Sequence, residues 1–151
     1  MSTPDSYHLP RDRRYHPREH LWVKPEGAGE PESVLIGMDE LQLDNLGELA
    51  YVDLKPAGTV VQAGESFGTL EAAKMTAEIF SPLSGTIVQV NEAALARPLL
   101  VNEEPYAGGW LVELAPSQWQ AEWPGLIGGD GIDGWVAAEE LRLKEQFDGP
   151  V

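Results

Sequence analysis

Hydrophobic and polar residues alternate in several short stretches between residues 21 and 114, and this period of two predicts half-buried β-strands. Residues 49–54 (LAYVDL) alternate in this way and end at a Pro-Ala-Gly turn. Residues 21–23 and 34–37 are apolar and flank a turn rich in proline and glycine, so we predict a hairpin over residues 21–37. Residues 110–114 form a further predicted strand.

The same alternation runs through residues 67–80 and is interrupted at Lys74, which predicts a tight hairpin with this lysine at its tip. We expect residues 67, 69 and 71 to face one way and residues 68, 70 and 72 the other. Most exposed lysines are simply solvated surface. Lys74 differs because small and apolar residues surround it, and because only six of the ten Lys/Arg lie beyond residue 18.

Capping residues predict short helices between the strands. Asp39 is a good N-cap for a helix over residues 40–46, and Gly47 stands where a C-terminal glycine belongs. Residues 91–97 predict a second short helix that stops before Pro98. Residues 137–147 predict a C-terminal helix, with residues 141, 143 and 147 as its apolar positions and Glu139 on the polar side.

A short internal repeat flanks the Lys74 hairpin. Residues 58–65 (GTVVQAGE) match residues 85–92 (GTIVQVNE) at five of eight positions. We interpret the repeat as a sign of two similar half-sheets, one on each side of the lysine turn.

The two ends of the chain differ from its middle. Residues 1–17 are polar, with three prolines, and predict a flexible arm. Residues 115–135 contain two prolines, five glycines and three of the five tryptophans, so we expect an irregular segment held down by its aromatic side chains. Whether residues 116–135 also form a partner surface stays open.

Composition narrows the classes of function. The formal net charge is −15, and residues 19–151 carry 23 Asp/Glu against 6 Lys/Arg, which disfavours nucleic acid and anionic membranes as partners. This excess of acidic residues is compatible either with a partner that has a basic surface or with a cytoplasm of high salt concentration. Cysteine is absent, which removes disulfides and thiolate metal sites. No apolar run is long enough to span a membrane and no signal peptide is evident, so we predict a cytoplasmic protein.

The residues around the lysine resemble a known motif. The sequence Glu71-Ala72-Ala73-Lys74-Met75, followed by residues 81–85 (SPLSG), is similar to the modified-lysine hairpin of lipoyl and biotinyl carrier domains. The resemblance implies that Lys74 carries the cofactor as an amide. It also implies that Glu71 is recognised by the lipoate ligase or lipoyl transferase that attaches it.

Motifs outside the hairpin resemble the H protein of the glycine cleavage system. They occur in family order over about residues 15–115, at residues 20–23 (HLWV), 36–39 (IGMD), 46–49 (LGEL), 90–93, 101–106 and 109–112. This resemblance implies a non-catalytic carrier of lipoic acid. Its expected fold is a mainly β, flattened β-sandwich of two antiparallel sheets with pseudo-twofold halves, short helices and a C-terminal helix. We expect an arm over residues 1–17, the carrier domain over 18–115, and residues 116–151 packed on it.

One departure from the H-protein pattern concerns the cargo. The family reads His-Glu-Trp-Val where this chain has Leu21 in place of the glutamate, and in the family that glutamate helps to hold a cationic aminomethyl group. Glu78 falls where the family places an acidic residue and is a possible arm or cargo contact, whereas Glu19 could compensate or face solvent. The departure favours the related lipoate-binding protein of bacterial sulfur oxidation, whose partner is a heterodisulfide-reductase-like complex.

Three alternatives remain. The first is a glycine cleavage H protein that works with the glycine cleavage enzymes, and the second is a biotin carboxyl carrier, which Met75 favours. The third is an interaction module with Lys74 unmodified. A hydrolytic or metal enzyme has little support, because the three histidines are scattered and pairs such as Glu139-Glu140 are typical of solvated surfaces.

Overall fold

The computed structural model describes Tyr7, residues 9–26 and residues 29–148, and within them the chain forms two antiparallel sheets. The nine strands are β1 Arg14–Tyr15, β2 Leu21–Pro25, β3 Val34–Met38, β4 Leu49–Leu54, β5 Val60–Val61, β6 Ser66–Ala72, β7 Thr76–Phe80, β8 Gly85–Val90 and β9 Val112–Pro116. The larger sheet has the order β1-β2-β3-β9-β8-β5, and the smaller one has the order β4-β6-β7. The predicted mainly β fold of two antiparallel sheets is confirmed.

The main hydrophobic core lies between the two sheets. Inward side chains of the small sheet, such as Val52, Leu70 and Ile79, are buried with side chains of the large sheet, such as Val23 and Ile36. Burial of apolar side chains on this scale is the dominant favourable term for a domain of this size.

The two copies of the internal repeat pair directly with each other. Val60 lies opposite Thr86 and Val61 opposite Gly85, so β5 and β8 are neighbours at one edge of the larger sheet. The two copies therefore lie in the same sheet and run antiparallel to each other.

The predicted Lys74 hairpin is present as β6 and β7, with one deviation in side-chain direction. Thr69 and Glu71 face outward and Leu70 faces the core, as expected. Phe67, predicted to share a face with Thr69 and Glu71, is instead buried. The pairing register shifts between Ser66 and Gly68, and such a bulge turns the preceding side chain to the other face.

Short helices connect the strands: α1 Glu40–Leu46, α2 Glu92–Ala96, α3 Leu99–Glu103 and α4 Trp119–Glu122, followed by a 3-10 turn at Trp123–Gly125. The predicted caps of α1 are confirmed. The Asp39 carboxylate accepts a hydrogen bond from the Gln42 N–H at 3.0 Å, and Gly47 adopts a φ of 84° at the C-terminus. Helix α3 was not predicted from the sequence.

The N-terminal segment is packed against the domain wherever the structure describes it, so the prediction of a flexible arm is wrong for residues 9–17. Leu9 and Tyr15 are buried, and Tyr15 exchanges backbone hydrogen bonds with Ile127. The Arg13 guanidinium lies 4.6 Å from the Trp22 ring, a favourable cation–π contact. Residues 1–6 and 8 of the predicted arm lie outside the described residues.

The C-terminal helix α5, Gly131–Asp148, begins six residues earlier than predicted. Its buried positions are Ile132, Val136, Glu139 and Leu143, whereas the expected core residue Leu141 is exposed. The buried stripe is hard to recognise in the sequence because glycines, which are poor helix formers, stand in the first turns of the helix. The side chain of Phe147 lies outside the described residues. With Tyr15, Trp22 and Leu41, the stripe forms a second core on the outer side of the larger sheet.

A buried polar cluster joins α5 to the rest of the fold. The fully buried His20 ring contacts the Asp39 carboxylate through Nδ1 at 2.9 Å and the Glu139 carboxylate through Nε2 at 2.8 Å. Arg142 donates three hydrogen bonds back to Glu139, two from Nε and one from Nη2, and the Trp135 ring stacks on the imidazole. Glu139, expected on a solvated face, is therefore a buried hydrogen-bonding partner.

The cluster perturbs the pKa of both His20 and Asp39. Burial disfavours the imidazolium, but the hydrogen bonds and charges of Asp39 and Glu139 outweigh it and raise the pKa of His20. Burial also raises the pKa of Asp39, against the opposing effect of His20. Because the folded pKa of His20 exceeds its unfolded value of about 6.5, its contribution to stability is complete below that pH. It is lost as the pH rises through the folded pKa.

We therefore expect the free energy of unfolding to decrease as the pH rises from about 6.5 through the raised pKa of His20. His20→Asn should remove this decrease, since asparagine does not titrate and tolerates the positive φ of 60° at this position. Urea denaturation of both proteins across this pH range measures the difference.

His16→Asn is the matched control. Burial and the charge of His20 lower the pKa of His16, so this residue titrates below the pH window, and its variant should keep the wild-type decrease. A wild-type stability that stays level between these pH values would show that the cluster does not bind its proton more tightly in the folded state.

Candidate functional site

Lys74 stands at the exposed tip of the β6–β7 hairpin, in the place that the sequence predicted. The Ala72 N–H donates to the Met75 carbonyl at 2.9 Å and closes the turn around it. Ala72 and Ala73 carry only methyl groups, so no bulky neighbour from the turn covers the lysine. The ε-amine is therefore open to a large enzyme or to acylation.

The tip is anchored to the connection between α1 and β4. The Ala73 N–H donates to the Glu48 carbonyl at 2.9 Å, and the Lys74 N–H donates to the Leu46 carbonyl at 3.1 Å. Two backbone hydrogen bonds from consecutive residues fix both the position and the direction of the turn. An exposed lysine thus stands on a rigid base.

Gly47 is required at the centre of this contact. Its φ of 84° is a conformation that side chains rarely adopt, and a Cβ atom added there would lie 3.1 Å from the Ala73 Cβ. The Asn102 side chain holds the same connection from the other side. Its Nδ2 donates to the Gly47 carbonyl at 3.1 Å, and its Oδ1 accepts from the Leu49 N–H at 2.9 Å.

The lysine side chain lies along the end of helix α1. Its ammonium group donates to the Asp44 carbonyl at 3.2 Å, in the last turn of the helix, where free carbonyls favour a positive charge. This single exposed hydrogen bond is weak enough to be given up when the amine is modified.

The outward face of the small sheet beside Lys74 is acidic. In the strand register, Tyr51, Glu71 and Thr76 lie in one row across the sheet, and the next row consists of Asp53, Thr69 and Glu78. All six side chains are exposed, and all except Asp53 border a shallow depression of about 420 Å³. Glu71 and Glu78, both predicted as site residues, therefore share one face with each other.

A narrow cleft lies beside β7, the edge strand of the small sheet, where this strand faces α1 and the start of β2. It has a volume of about 30 Å³ and is bordered by Glu19, Leu21, Gln42 and Glu78, among others. Leu21 is fully buried, whereas Glu19 is partly buried and its pKa is raised, chiefly by that burial and against the effect of His20. The structure thus places Glu19 at the cleft rather than in open solvent.

Sequence reasoning missed several residues that position the site. Asn102 was not singled out, because no periodic pattern marks a side chain that caps a distant loop. His20 and Glu139 were set aside as a scattered histidine and a surface acid, and only their burial reveals the contact.

No group of three or more His, Cys, Asp or Glu among the described residues is arranged to hold a metal ion. None of the helices described is both long and apolar enough to cross a bilayer.

Comparison with known proteins identifies relatives of this arrangement. The family model described as "Glycine cleavage H-protein" matches residues 13–136. A glycine cleavage system H protein of Myxococcus xanthus is 38% identical over 109 residues, which are 72% of this chain and 81% of the relative. The protein of the same name from Bacillus mycoides is 41% identical over 106 residues, or 70% of this chain and 80% of the relative.

A solved structure agrees with these sequence matches. The crystal structure of a glycine cleavage system H protein from Mycobacterium marinum superposes with a TM-score of 0.72 and 31% sequence identity. The superposition covers 87% of this chain and 98% of the other. The similarity therefore extends over most of this chain.

The anchor of the hairpin tip leads to a prediction for Gly47. We expect Gly47→Ala to destabilise the protein by about 1–3 kcal/mol, because alanine is strained at this backbone conformation and its methyl group crowds Ala73. The amide hydrogens of Ala73 and Lys74 should lose their protection against exchange, which hydrogen-exchange NMR measures residue by residue.

Gly64→Ala is the matched control. Gly64 has a similar φ of 91°, but nothing lies within 4 Å of an added Cβ atom. The control should lose stability through backbone strain alone and keep the protection of both hairpin-tip amides. Equal protection in the two variants would contradict the anchoring role assigned to Gly47.

Proposed function

The chain belongs to the glycine cleavage H-protein family, and from this premise we propose that Lys74 is the residue that carries its lipoyl group. Members of the family are non-catalytic carrier subunits that hold lipoate covalently on a lysine. The observation that carries the proposal is the rigid presentation of Lys74, whose backbone N–H and that of Ala73 are both fixed by carbonyls of the α1–β4 connection. A group attached there can move while its root stays in place.

This geometry suits the physical task of a carrier. A flexible arm on a fixed base keeps its end group at a high effective concentration near successive partner sites. The exposed tip admits the attaching enzyme, a lipoate ligase or lipoyl transferase. We assign recognition by that enzyme to Glu71, three residues before Lys74 and exposed on the acidic face.

We further propose an aminomethyl group as the cargo and the glycine cleavage enzymes as the partners. The departure at Leu21 favoured a sulfur-oxidation carrier with a heterodisulfide-reductase-like partner, but the family model and the relatives reported above are glycine cleavage proteins. The same family match argues against the alternative of a biotin carrier. The cytoplasmic location remains a prediction from the sequence.

The cleft supplies what a cationic cargo needs, despite Leu21. Glu19 and Glu78 both border the cleft that Leu21 lines, so two carboxylates are available where the family pattern has a glutamate. A carboxylate at the mouth of a partly buried cleft stabilises an amine-bearing end group. The burial that raises the pKa of Glu19 also strengthens its attraction for a cation.

The attachment site is tested by substitution of the lysine. Lys74→Arg keeps the charge but cannot form the amide, so we expect complete loss of lipoylation by a lipoate ligase and an unchanged fold. Intact-mass spectrometry of the protein after the ligase reaction measures the modification, and circular dichroism checks the fold.

Lys55→Arg is its control, since Lys55 follows β4 at the end of the small sheet away from the hairpin tip and is also exposed. It should be lipoylated to completion, like the wild type. A lipoyl mass on the Lys74→Arg protein would place the cofactor on another residue.

The cargo is tested on the lipoylated protein with glycine and glycine decarboxylase. We expect an aminomethyl adduct on the reduced arm of the wild type. Glu19→Gln and Glu78→Gln should each shorten its lifetime by up to about fivefold, the loss expected for a partly exposed ion pair worth about 1 kcal/mol. Mass spectra taken over time give the decay rates.

Glu65→Gln, in the turn before β6 and outside the set of residues that border the cleft, should leave the decay rate unchanged. Leu21→Glu should lengthen the lifetime by adding the carboxylate that the family pattern contains. An arm that is lipoylated but never gains the adduct would return the proposal to the sulfur-oxidation alternative, which the buried Leu21 favours.

A further inference from the structure

A second recess lies beside the base of the Lys74 side chain, between helices α1 and α5, and it has the opposite chemical character. It has a volume of about 200 Å³ and is bordered by Arg18, Gln42, Asn45, Leu46, Met75, Arg142 and Leu143. Two of these residues belong to the base of the arm, because Met75 follows Lys74 and the Leu46 carbonyl accepts the Lys74 N–H. The root of an arm on Lys74 therefore lies beside this recess.

Two of the ten basic residues of the chain face this one recess. Arg18 is exposed, and within the described part of the chain its guanidinium has no hydrogen bond or ion pair. In a protein with a formal charge of −15, a free guanidinium beside the functional lysine is unusual.

Glu139 holds the Arg142 guanidinium in place but does not occupy all of its hydrogen-bond donors. Its Nε and Nη2 atoms bind the Glu139 carboxylate, and Nη1 makes no hydrogen bond to the described residues. Glu139 is itself held by His20, so the guanidinium has a fixed orientation. A guanidinium of fixed orientation offers planar oxyanions a preorganised donor.

The local charge balance leaves the recess positive. Glu139 and Arg142 neutralise each other, and His20 with Asp39 is neutral as long as the pair shares one proton. Arg18 then contributes an uncompensated positive charge. Glu19 and Glu78 border the neighbouring cleft and not this recess, so the acidic and basic groups lie on separate walls.

We propose that this recess is an oxyanion subsite of the carrier, which takes a carboxylate or sulfonate group through Arg18 and Arg142, with the Gln42 amide as a further donor. The ligand is either the anionic end of a group borne on the arm or a diffusible small anion. The first source rests on the proposed attachment of the arm to Lys74, whereas the second does not.

The arm-borne source is tested with defined end groups. The lipoylated protein, verified by intact mass, is reduced and alkylated with ¹³C-labelled iodoacetate, which leaves S-carboxymethyl groups on the arm. NMR titration should give these carboxylates a pKa about one pH unit below that of S-carboxymethylated lipoamide in solution. In Arg18→Gln the difference should largely disappear.

Lys55→Gln is the matched control, because it removes the same charge from the chain at the far end of the small sheet and should keep the lowered value. Arg142→Gln is not used alone, since Arg142 also supports the buried cluster. Equal carboxylate pKa values in the protein and in free lipoamide, unchanged by Arg18→Gln, would contradict an arm-borne ligand.

The diffusible source is tested on the unlipoylated protein, which separates this proposal from the attachment at Lys74. Sodium methanesulfonate is added while the Nε–H signals of the arginines are followed by ¹⁵N NMR. A saturable change at Arg18 and Arg142 that Arg18→Gln abolishes identifies a free anion as the ligand. The absence of both this change and the lowered carboxylate pKa overturns the subsite.

Discussion

The functional part of this protein depends on two backbone hydrogen bonds, from Ala73 to the Glu48 carbonyl and from Lys74 to the Leu46 carbonyl. They form only if the α1–β4 connection can approach the hairpin closely, and Gly47 permits this because it has no Cβ and accepts a positive φ. Asn102 fixes the connection from its other side. The lysine at the tip therefore has a defined position although its side chain is exposed, and the surfaces around it can be specific.

The buried polar cluster at His20 links this site to the two ends of the chain. Asp39 caps α1 through one carboxylate oxygen and binds the imidazole through the other, so the helix beside the lysine and the C-terminal helix share one hydrogen-bonded network. A network of this kind is strongly coupled because each member would be costly to bury without its partner. The N-terminal segment and α5 are thus structural parts of the carrier, and their packing orients Arg142 near the arm.

Much of the fold and the central lysine could be predicted from the sequence, because local patterns encode them. The alternation in residues 67–80 defines the hairpin, and the Asp39 and Gly47 caps define α1. Contacts between residues far apart along the chain leave no such pattern. Glu139 has the composition of a surface acid and becomes a buried partner only when α5 is placed over His20, 119 residues away. The same limit hid the packing of residues 9–17, since their polar sequence gives no sign of the Trp22 ring that covers Arg13.

Helix α1 borders two neighbouring sites near Lys74, one on the side of β7 and one on the side of α5, and their charged residues differ in sign. Gln42 and Leu46 border both the cleft with Glu19 and Glu78 and the recess with Arg18 and Arg142. An end group that carries a positive charge is favoured on the first side, and one with a negative charge on the second. Leu21 stands where the family pattern has a glutamate, so the acidic cleft has one carboxylate fewer than that pattern, whereas the basic recess is unchanged. If the arm is attached to Lys74 as proposed, we expect the balance between these two sites, rather than the presence of one acid, to set which cargo the carrier holds close to its surface.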